Sequence, residues 1–412
     1  MDEKICVVGL GYVGLPLALA LSEKFECIGF DINNKRISDL SKHIDSNSEH
    51  SSVEISNAKL QFVEDLDSAA DCSVFIVTVP TPITENKAPD LNPLALACQM
   101  VGQVLKKKDL VVFESTVYPG CSENFCGPLL EEASGLVSGE EFSIGYSPER
   151  INPGDKSNTI KTIKKIVSGD SEEALERVSY LYSAIITAGI YQAKSIRVAE
   201  AAKLTENIQR DVNIALMNEL AKIYSEMELR ISDVLDAAVT KWNFIPFRPG
   251  LVGGHCIGVD PYYLIDSAKK IDLKTPLISI ARQTNEEVVQ RILKFFQDNV
   301  PIAHGKSLFL GLTFKENCND LRNSKALELA VELSKLTIVH ALEPNIERIE
   351  DADIKLVDSL SHGPYDSVTI AVRHNQFLQL KENEFRSLIG PNGYIFDLHN
   401  TYELDYERTF TL

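Results

Sequence analysis

A cysteine between glycines gives this sequence its strongest chemical signal. Cys256 lies in the segment Gly253-Gly254-His255-Cys256-Ile257-Gly258, and its small neighbours leave the sulfur open to a substrate carbon. A cysteine thiolate is a strong nucleophile that can hold a reaction intermediate covalently. The chain also opens with the pattern Gly9-x-Gly11-x-x-Gly14, which is typical of dinucleotide binding. Together the two features predict an oxidation that passes through a covalent thioester.

The glycine pattern has the context that a dinucleotide site requires. Residues 5–9 predict a strand that enters the glycines, and a helix is predicted from Leu15 onward. Gly9 permits the tight turn, Gly11 lets a pyrophosphate approach the backbone, and Gly14 allows the helix to pack closely on the strand. The phosphates would then lie against N–H groups at the start of the helix. A structural glycine turn without a ligand is the alternative interpretation.

The position that would contact the adenosine ribose favours NAD over NADP. Asp31 ends the next predicted strand, about twenty residues beyond the glycines, where a carboxylate accepts hydrogen bonds from ribose hydroxyls. The same carboxylate would repel a 2′-phosphate. Arg36 leaves NADP open as an alternative, because a nearby arginine can bind that phosphate.

A lysine and an asparagine are further candidates for catalysis, because of their residue types and their spacing. Lys203 and Asn207 are four positions apart in a predicted helix and therefore share one face. They can offer an ammonium and an amide N–H to an oxygen on which charge develops, and loss of one such donor typically costs ~10²–10³ in rate. Lys203 is also the leading candidate for favouring the thiolate of Cys256. A solvated helix face and an inert cysteine are the alternatives.

Strand and helix patterns alternate at both ends of the chain and predict an α/β fold with two doubly wound, Rossmann-like domains. The helical middle, 197–238, contains neither glycine nor proline, and a second helical run covers about 274–299. The predicted strands are 5–9, 27–30, 74–79, 110–114 and 143–146, then 307–312, 338–342, 355–357, 367–372 and 394–398. The predicted domains are 1–196 for the dinucleotide, 197–300 for the helical region with the cysteine loop, and 301–412 for the second α/β domain.

Composition narrows the classes of partner. A net charge of -18 argues against nucleic acid and anionic membranes, and no apolar run approaches the ~18 residues of a membrane span. The eight cysteines form no C-x-x-C pair, which indicates reduced thiols. The first residues lead directly into a strand and leave no room for a signal peptide. We therefore expect a cytoplasmic protein.

These features and several further blocks resemble the UDP-glucose/GDP-mannose dehydrogenase family over nearly the whole chain. The blocks are Val79-Pro80-Thr81-Pro82, Glu114-Ser115-Thr116-Val117, Ser147-Pro148-Glu149-Arg150, Glu200-x-x-Lys203-x-x-x-Asn207, Gly311-Leu312-Thr313-Phe314-Lys315 and Asp320-x-Arg322. The resemblance implies oxidation of the C6 hydroxymethyl of a UDP-sugar to a carboxylate with two NAD. It also implies a long helix that builds a homodimer and a second Rossmann-like domain for the nucleotide sugar.

The resemblance also assigns roles to individual residues. Thr116 and Asp260 are similar to family residues that organise water and proton transfer, and Glu149 to the carboxylate associated with thioester hydrolysis. A turn former before Pro261 and a surface ion pair with Arg150 are the alternatives for Asp260 and Glu149. The implied catalytic residues are Cys256, Lys203, Asn207, Thr116, Glu149 and Asp260. The implied NAD contacts are Gly9, Gly11, Tyr12, Val13, Gly14, Asp31, Arg36, Thr81, Thr116 and Arg322. The implied substrate contacts are Arg150, Lys203, Asn207, Arg248, Gly253, His255 and Lys315.

The substrate prediction rests on the segment before the cysteine. Residues 241–256 resemble the UDP-N-acetylhexosamine branch of the family, which includes enzymes for Vi-type surface polysaccharides, so UDP-GlcNAc or UDP-GalNAc is expected. Pro153 stands where UDP-glucose dehydrogenases tend to carry a second glutamate. UDP-ManNAc and UDP-glucose remain open as substrates. A two-electron hydroxyacid dehydrogenase and a non-catalytic NAD-binding regulator remain open as other functions. Hydride chemistry requires no metal.

Overall fold

The protein consists of two compact units. The computed structural model describes residues 3–151, 159–300, 305–349, 353–402, 404 and 406–412. Pro153 and the predicted domain boundary at position 301 lie outside these residues. The N-terminal unit comprises Met1–Glu206 and Tyr262–Leu273, and the C-terminal unit comprises Asn207–Pro261 and Lys274–Leu412.

The N-terminal unit is built on an eight-stranded sheet with strand order β3-β2-β1-β4-β5-β6-β7-β8. The strands are β1 (Lys4–Val8), β2 (Glu26–Phe30), β3 (Leu60–Val63), β4 (Val74–Val77), β5 (Leu110–Phe113), β6 (Ser143–Tyr146), β7 (Lys165–Gly169) and β8 (Ile190–Gln192). Strands β1 to β6 pair in parallel, and β7 is antiparallel to β6. The predicted parallel sheet is confirmed for its five predicted strands.

Helices cover both faces of this sheet. Ile5 and Val7 pack into one apolar cluster and Cys6 and Val8 into another, so β1 is buried on both sides, as a parallel sheet between helical layers requires. The helices are α1 (Gly14–Ser22), α2 (Asn34–Ser41), α3 (Ser52–Asn57), α4 (Asn92–Val104), α5 (Gly127–Ser134) and α6 (Glu172–Ser183).

Helix α7 (Ile196–Glu226) joins the two units. The helical middle predicted as 197–238 is divided, because a turn at Glu228 with φ 60° separates α7 from α8 (Ile231–Ala238). Helices α9 (Asp260–Lys270) and α10 (Pro276–Asn299) follow. Within the described ranges, the structure contains no helix that combines the length and apolarity needed to cross a membrane.

The C-terminal unit contains a six-stranded parallel sheet with strand order β11-β10-β9-β12-β13-β14. Its strands are β9 (Lys306–Leu310), β10 (Ile338–Leu342), β11 (Ile354–Leu356), β12 (Tyr365–Ile370), β13 (Ile389–Asp397) and β14 (Thr409–Phe410). Leu308 and Leu310 pack on one face and Phe309 on the other. Together with α11 (Lys325–Ser334) and α12 (Glu382–Leu388), this arrangement confirms the second predicted Rossmann-like domain.

Candidate active site

The glycine turn of the N-terminal unit lies between β1 and α1. Gly9 has φ +93°, a conformation that glycine adopts without strain, and its N–H donates to the carbonyl of Phe30 at 2.8 Å. The next N–H, of Leu10, donates to the Asp31 carboxylate at 2.8 Å. Asp31 is only partly buried. The turn therefore brings the predicted ribose acceptor beside the predicted phosphate-binding glycines.

Gly11 and Gly14 differ in what surrounds them. A Cβ at Gly14 would lie 1.8 Å from the carbonyl oxygen of Gly9 and 2.4 Å from Oγ1 of Thr78, whereas a Cβ at Gly11 would meet no protein atom within 4 Å. Gly14 is thus required by the packing of α1 on β1. The open space beside Gly11 fits a pyrophosphate against the backbone, so the residues present are suited to NAD.

Alanine substitutions at these two glycines should separate folding from binding. Gly14→Ala should lower the melting temperature, because overpacking against backbone atoms typically costs about 1–3 kcal/mol, and it should weaken NAD binding as well. Gly11→Ala should leave the melting temperature unchanged and still weaken NAD binding by about tenfold or more, since the new methyl group occupies the phosphate position. Thermal unfolding and NAD titration measure the two effects. Unchanged NAD affinity in Gly11→Ala would rule out the assigned role of Gly11.

The guanidinium group of Arg36 is buried and hydrogen-bonded to protein groups. Its Nε donates to the carbonyl of Leu10 at 2.9 Å, and its Nη1 donates to Asp45 at 2.7 Å and to Ser46 at 2.9 Å. The Nη2 atom is buried and has no hydrogen-bond partner within the protein. Arg36 therefore braces the glycine turn from the protein interior, through its bonds to Leu10, Asp45 and Ser46.

Glu149, expected from the resemblance to act in thioester hydrolysis, belongs to a buried ionic cluster. Nζ of Lys165 donates to Glu114 at 2.7 Å and to Glu149 at 2.9 Å, and the hydroxyl of Tyr182 donates to the other oxygen of Glu114. The second oxygen of Glu149 accepts the N–H groups of Arg150 and Ile151. This ion pair with Lys165 replaces the surface pair with Arg150 that the sequence left open.

The pKa values of Glu114, Glu149 and Lys165 are all shifted in this cluster, and the two carboxyl groups shift in opposite directions. Burial raises the pKa of Glu114 to about 7, although Lys165 opposes the shift. Burial would also raise the pKa of Glu149, but Lys165 and backbone N–H groups hold it below its ordinary value. The two carboxylates outweigh burial and raise the pKa of Lys165. Glu149 is thus the ionised carboxylate of the pair, and Glu114 is the one that takes up a proton near neutral pH.

The other predicted site residues of the N-terminal unit differ in their burial and in their hydrogen-bond partners. Arg150 forms an ion pair with Glu206 at 2.7 Å. The carbonyl of Thr81 accepts a hydrogen bond from Tyr263 at 2.9 Å, and Lys203 is buried on α7. The predicted residues Tyr12, Val13 and Thr116 are partly buried.

Glu200, one turn before Lys203 on α7, was not predicted as a site residue. Its carboxylate accepts the N–H of Gly120 at 2.5 Å, and the N–H and hydroxyl of Ser122 at 2.9 and 2.7 Å. Burial raises the pKa of Glu200 to about 7 despite these donors. Glu200 therefore ties the segment that follows Thr116 to the helix that carries Lys203.

In the C-terminal unit, Asn207 and Asp260 contact each other. The side-chain amide of Asn207 donates to the Asp260 carboxylate at 2.5 Å, and both side chains are buried. The sequence marked both residues as catalytic without pairing them. The bond connects α7 to the first residue of α9, four positions after the cysteine.

Cys256 differs from every other cysteine of the chain. It is exposed, whereas the remaining seven, all within the described residues, are buried and unpaired by disulfides. Cys318 donates a hydrogen bond to the carbonyl of Lys315 at 3.3 Å, and burial raises the pKa of its thiol. A reagent or substrate carbon therefore meets Cys256 before any other thiol.

His255 connects the cysteine loop to Asp320. Its Nε2 lies 2.8 Å from Asp320, which also receives Nη2 of Arg322 at 2.6 Å. Burial would raise the pKa of Asp320, but these two partners hold it well below its usual range. His255 also packs edge-to-face on Phe314, with ring centroids 5.5 Å apart. His255 is thus held by the segment that carries Arg322.

Three more predicted substrate contacts lie in the C-terminal unit. Arg248 is exposed and forms an ion pair with Asp236 at 2.5 Å. Nζ of Lys315 lies 5.7 Å from the centre of the Phe314 ring, and Gly253 is partly buried in the cysteine loop.

The first turn of the C-terminal sheet repeats the geometry of the glycine turn. Gly311 has φ +85° and donates to the carbonyl of Leu342 at 3.1 Å, and the N–H of Leu312 donates to Glu343 at 2.6 Å. Glu343 is nevertheless fully buried, and His374 lies 3.1 Å from the oxygen that receives Leu312. The carboxylate that corresponds to Asp31 is therefore closed off by protein groups.

Comparison with known proteins identifies the family. The UDP-glucose/GDP-mannose dehydrogenase family matches with its NAD binding domain over residues 3–186, its central domain over 197–287 and its UDP binding domain over 308–404. The chain belongs to this family. It is an NAD-dependent nucleotide-sugar dehydrogenase whose C-terminal domain binds the UDP-sugar.

Similar proteins extend over nearly the whole chain. The UDP-N-acetyl-D-glucosamine 6-dehydrogenase of Pseudomonas aeruginosa is 48% identical over 418 residues and covers 99% of each chain. The enzyme of the same name from Salmonella typhi is 44% identical, over 98% of this chain and 97% of its own. Among solved structures, the UDP-D-ManNAc dehydrogenase of Pyrococcus horikoshii has a TM-score of 0.89 at 28% identity, over 99% of this chain and 98% of its own.

Proposed function

We propose that this dehydrogenase oxidises the C6 hydroxymethyl of UDP-N-acetyl-D-glucosamine to the uronic acid, with UDP-GalNAc as the C4 epimer that it could also accept. The observation that carries the covalent route is the exposure of Cys256 among otherwise buried cysteines. The substrate is supported by the two relatives of that name at 48% and 44% identity. The product supplies a uronic acid for surface polysaccharide synthesis.

The covalent step belongs to Cys256. NAD, held by the glycine turn and Asp31, supplies the hydride acceptor for both oxidations. The sulfur of Cys256 forms a bond to the C6 aldehyde carbon and retains it as a thiohemiacetal until the second oxidation has made a thioester. Water then attacks C6, the carbon–sulfur bond breaks, and Cys256 regains its thiol.

The polar residues around this chemistry have separate tasks. Lys203 and Asn207 stabilise the oxygen on C6 as charge develops on it. Asp260 orients the amide of Asn207 and, with Thr116, holds the water that takes the hydroxyl proton. Glu149, kept ionised by Lys165, accepts a proton from the hydrolytic water.

We assign the charged ends of the substrate and cofactor to three basic residues. Arg248 and Lys315 bind the UDP phosphates, because a planar guanidinium fork and an ammonium both match phosphate oxygens. Arg322, whose orientation Asp320 fixes, contacts NAD. Arg150 lies near the sugar, with Gly253 and His255 as further contacts.

The ratio of NADH formed to UDP-GlcNAc consumed tests the proposal. Two NADH and an uronic acid product, followed by nicotinamide absorbance and product mass, support the thioester route with this substrate. One NADH with an aldehyde product would remove Cys256 from the mechanism. If the enzyme oxidises UDP-ManNAc or UDP-glucose but neither UDP-GlcNAc nor UDP-GalNAc, the substrate assignment is wrong. The membership of the dehydrogenase family would still hold.

We further propose a homodimer built on the helical middle, 197–300. Exposed apolar side chains lie on two helices of the C-terminal unit: Leu216, Ile223 and Met227 on or just after α7, and Leu277 and Ile280 on α10. Large apolar side chains exposed on helices favour burial against another protein. Light scattering after size-exclusion chromatography should give twice the chain mass of 45.7 kDa. The free thiols support a cytoplasmic location.

A further inference from the structure

The glycines around Cys256 pack against two residues far along the chain, Asn323 and Phe314. A Cβ at Gly253 would lie 2.4 Å from the carbonyl oxygen of Asn323, and a Cβ at Gly258 would lie 3.0 Å from its Nδ2. A Cβ at Gly254 would lie 2.6 Å from the ring of Phe314. The backbone on both sides of the cysteine therefore packs directly on the segment 314–323.

Asn323 also bonds to this loop through both its backbone and its side chain. Its carbonyl accepts the N–H of Gly254 at 3.0 Å, and its Nδ2 donates to the carbonyl of Gly254 at 2.8 Å. Both polar groups of Gly254, two residues before the nucleophile, are thus bound to one residue. The loop cannot move at this point without breaking both bonds.

Hydrogen bonds of the next residue fix the backbone that follows Asn323. Asn323 has φ 53°, which asparagine tolerates better than most residues, and the next residue, Ser324, caps α11 by accepting the N–H of Leu327. The Ser324 hydroxyl donates to the carbonyl of Leu312 at 2.6 Å. Asn323 is therefore held between the start of α11 and the end of the first strand of the C-terminal sheet.

We propose that Asn323 is a positioning residue for Cys256, holding the cysteine loop so that the sulfur meets the aldehyde carbon before the aldehyde leaves. The inference rests on the proposed function. The contacts of Asn323 are with the backbone of the loop that carries the nucleophile, and the nucleophile acts only after the aldehyde has formed. Loss of its amide should therefore impair capture of the aldehyde more than its formation.

Two substitutions test this role without opening a cavity, because Asn323 is exposed. Asn323→Gly removes the amide but keeps the left-handed backbone that glycine adopts freely. Asn323→Asp places an acceptor against the carbonyl of Gly254 and should be the more damaging. Asn400→Gly is the matched control, since Asn400 is another asparagine of the C-terminal unit with positive φ, at 48°.

The readout is the molar ratio of NADH to sugar consumed, with released aldehyde trapped by a hydrazide. In both Asn323 variants kcat for uronic acid should fall by about 10- to 100-fold, as expected for a misplaced reacting group, while KM for NAD stays unchanged. The ratio should fall from two toward one as aldehyde escapes. A role limited to stability would lower both oxidations together and keep the ratio at two, and that result would overturn the proposal.

Hydrogen exchange at the Gly254 amide provides a readout that needs no substrate. Exchange should be faster in Asn323→Gly than in the wild type and in Asn400→Gly, because the side-chain bond that steadies this residue is lost. Equal exchange in all three proteins would overturn the proposal even if the enzyme is active. If the wild type oxidises no UDP-sugar, the proposed function fails, and the exchange result still decides whether Asn323 holds the loop.

Discussion

Replacing Cys256 with serine should abolish uronic acid formation while leaving NAD binding intact. A serine hydroxyl ionises far less readily than a thiol, so it forms the covalent adduct poorly and the aldehyde is released. Removal of a catalytic nucleophile commonly costs several powers of ten, and we expect net turnover to fall by at least ~10³-fold. NADH production and product mass measure the loss, and an NAD titration verifies that the N-terminal unit is intact.

Cys318→Ser is the matched control for this experiment. Cys318 lies in the same unit but is buried, so its loss should leave the NADH to sugar ratio at two. Full activity in Cys256→Ser would instead show that the oxidation proceeds without a covalent bond to this sulfur. An equal loss in both cysteine variants would indicate a structural effect rather than a chemical one.

Replacing Lys165 with methionine should destabilise the N-terminal unit by about 3–5 kcal/mol, because removing one partner of a buried ion pair leaves its counter-charge uncompensated. Here two carboxylates, Glu114 and Glu149, lose the same ammonium. Denaturant unfolding measures the effect. Thioester hydrolysis should slow as well, since Glu149 would no longer be held as the ionised carboxylate.

A neighbouring lysine provides the control for Lys165. Lys161 forms an ion pair with Glu23 at 2.7 Å, but 41% and 52% of the two side chains are exposed. Lys161→Met should therefore cost only about 0–1 kcal/mol. The double variant Lys165→Met with Glu114→Gln should recover part of the loss. Equal unfolding free energies for the two single variants would contradict the buried cluster.

The pH dependence of stability provides a separate check on Glu114. The folded chain keeps a proton on Glu114 up to pH about 7, whereas the ordinary pKa is 4.5. Between these values the folded state binds more protons than the unfolded state, so this group makes stability fall as pH rises through the window. Glu200 shifts in the same direction. Glu114→Gln should therefore flatten the decline of melting temperature in this window without removing it.

The sequence predicted the strands of the first sheet that are buried on both faces. It missed β3 and β8 at the two edges, and β7, which is antiparallel to β6. Val74–Val77 and Leu110–Phe113 are uninterrupted apolar runs, as central parallel strands require. In contrast, β3 contains an exposed Gln61, β8 has three residues, and β7 begins with Lys165, a residue type that is rarely buried without a partner.

The individual site residues could be selected from the sequence, but their pairings could not. Asn207 and Asp260 are 53 positions apart and Lys165 and Glu114 are 51 apart, and nothing local marks such pairs. The glycines around Cys256 were interpreted as leaving room at the sulfur. The structure adds a second reason, since their missing side chains admit Asn323 and Phe314 against the backbone.

Because His374 and backbone N–H groups enclose Glu343, we expect this carboxylate not to bind an adenosine ribose when coenzyme and sugar nucleotide are both abundant. A solvent-facing carboxylate in each sheet would attract adenosine ribose to either unit, and the coenzyme would then compete with the sugar nucleotide. With Glu343 closed and Asp31 partly open, such cross-competition is avoided. We therefore expect a raised coenzyme concentration to saturate the N-terminal unit without displacing the sugar nucleotide from the C-terminal unit.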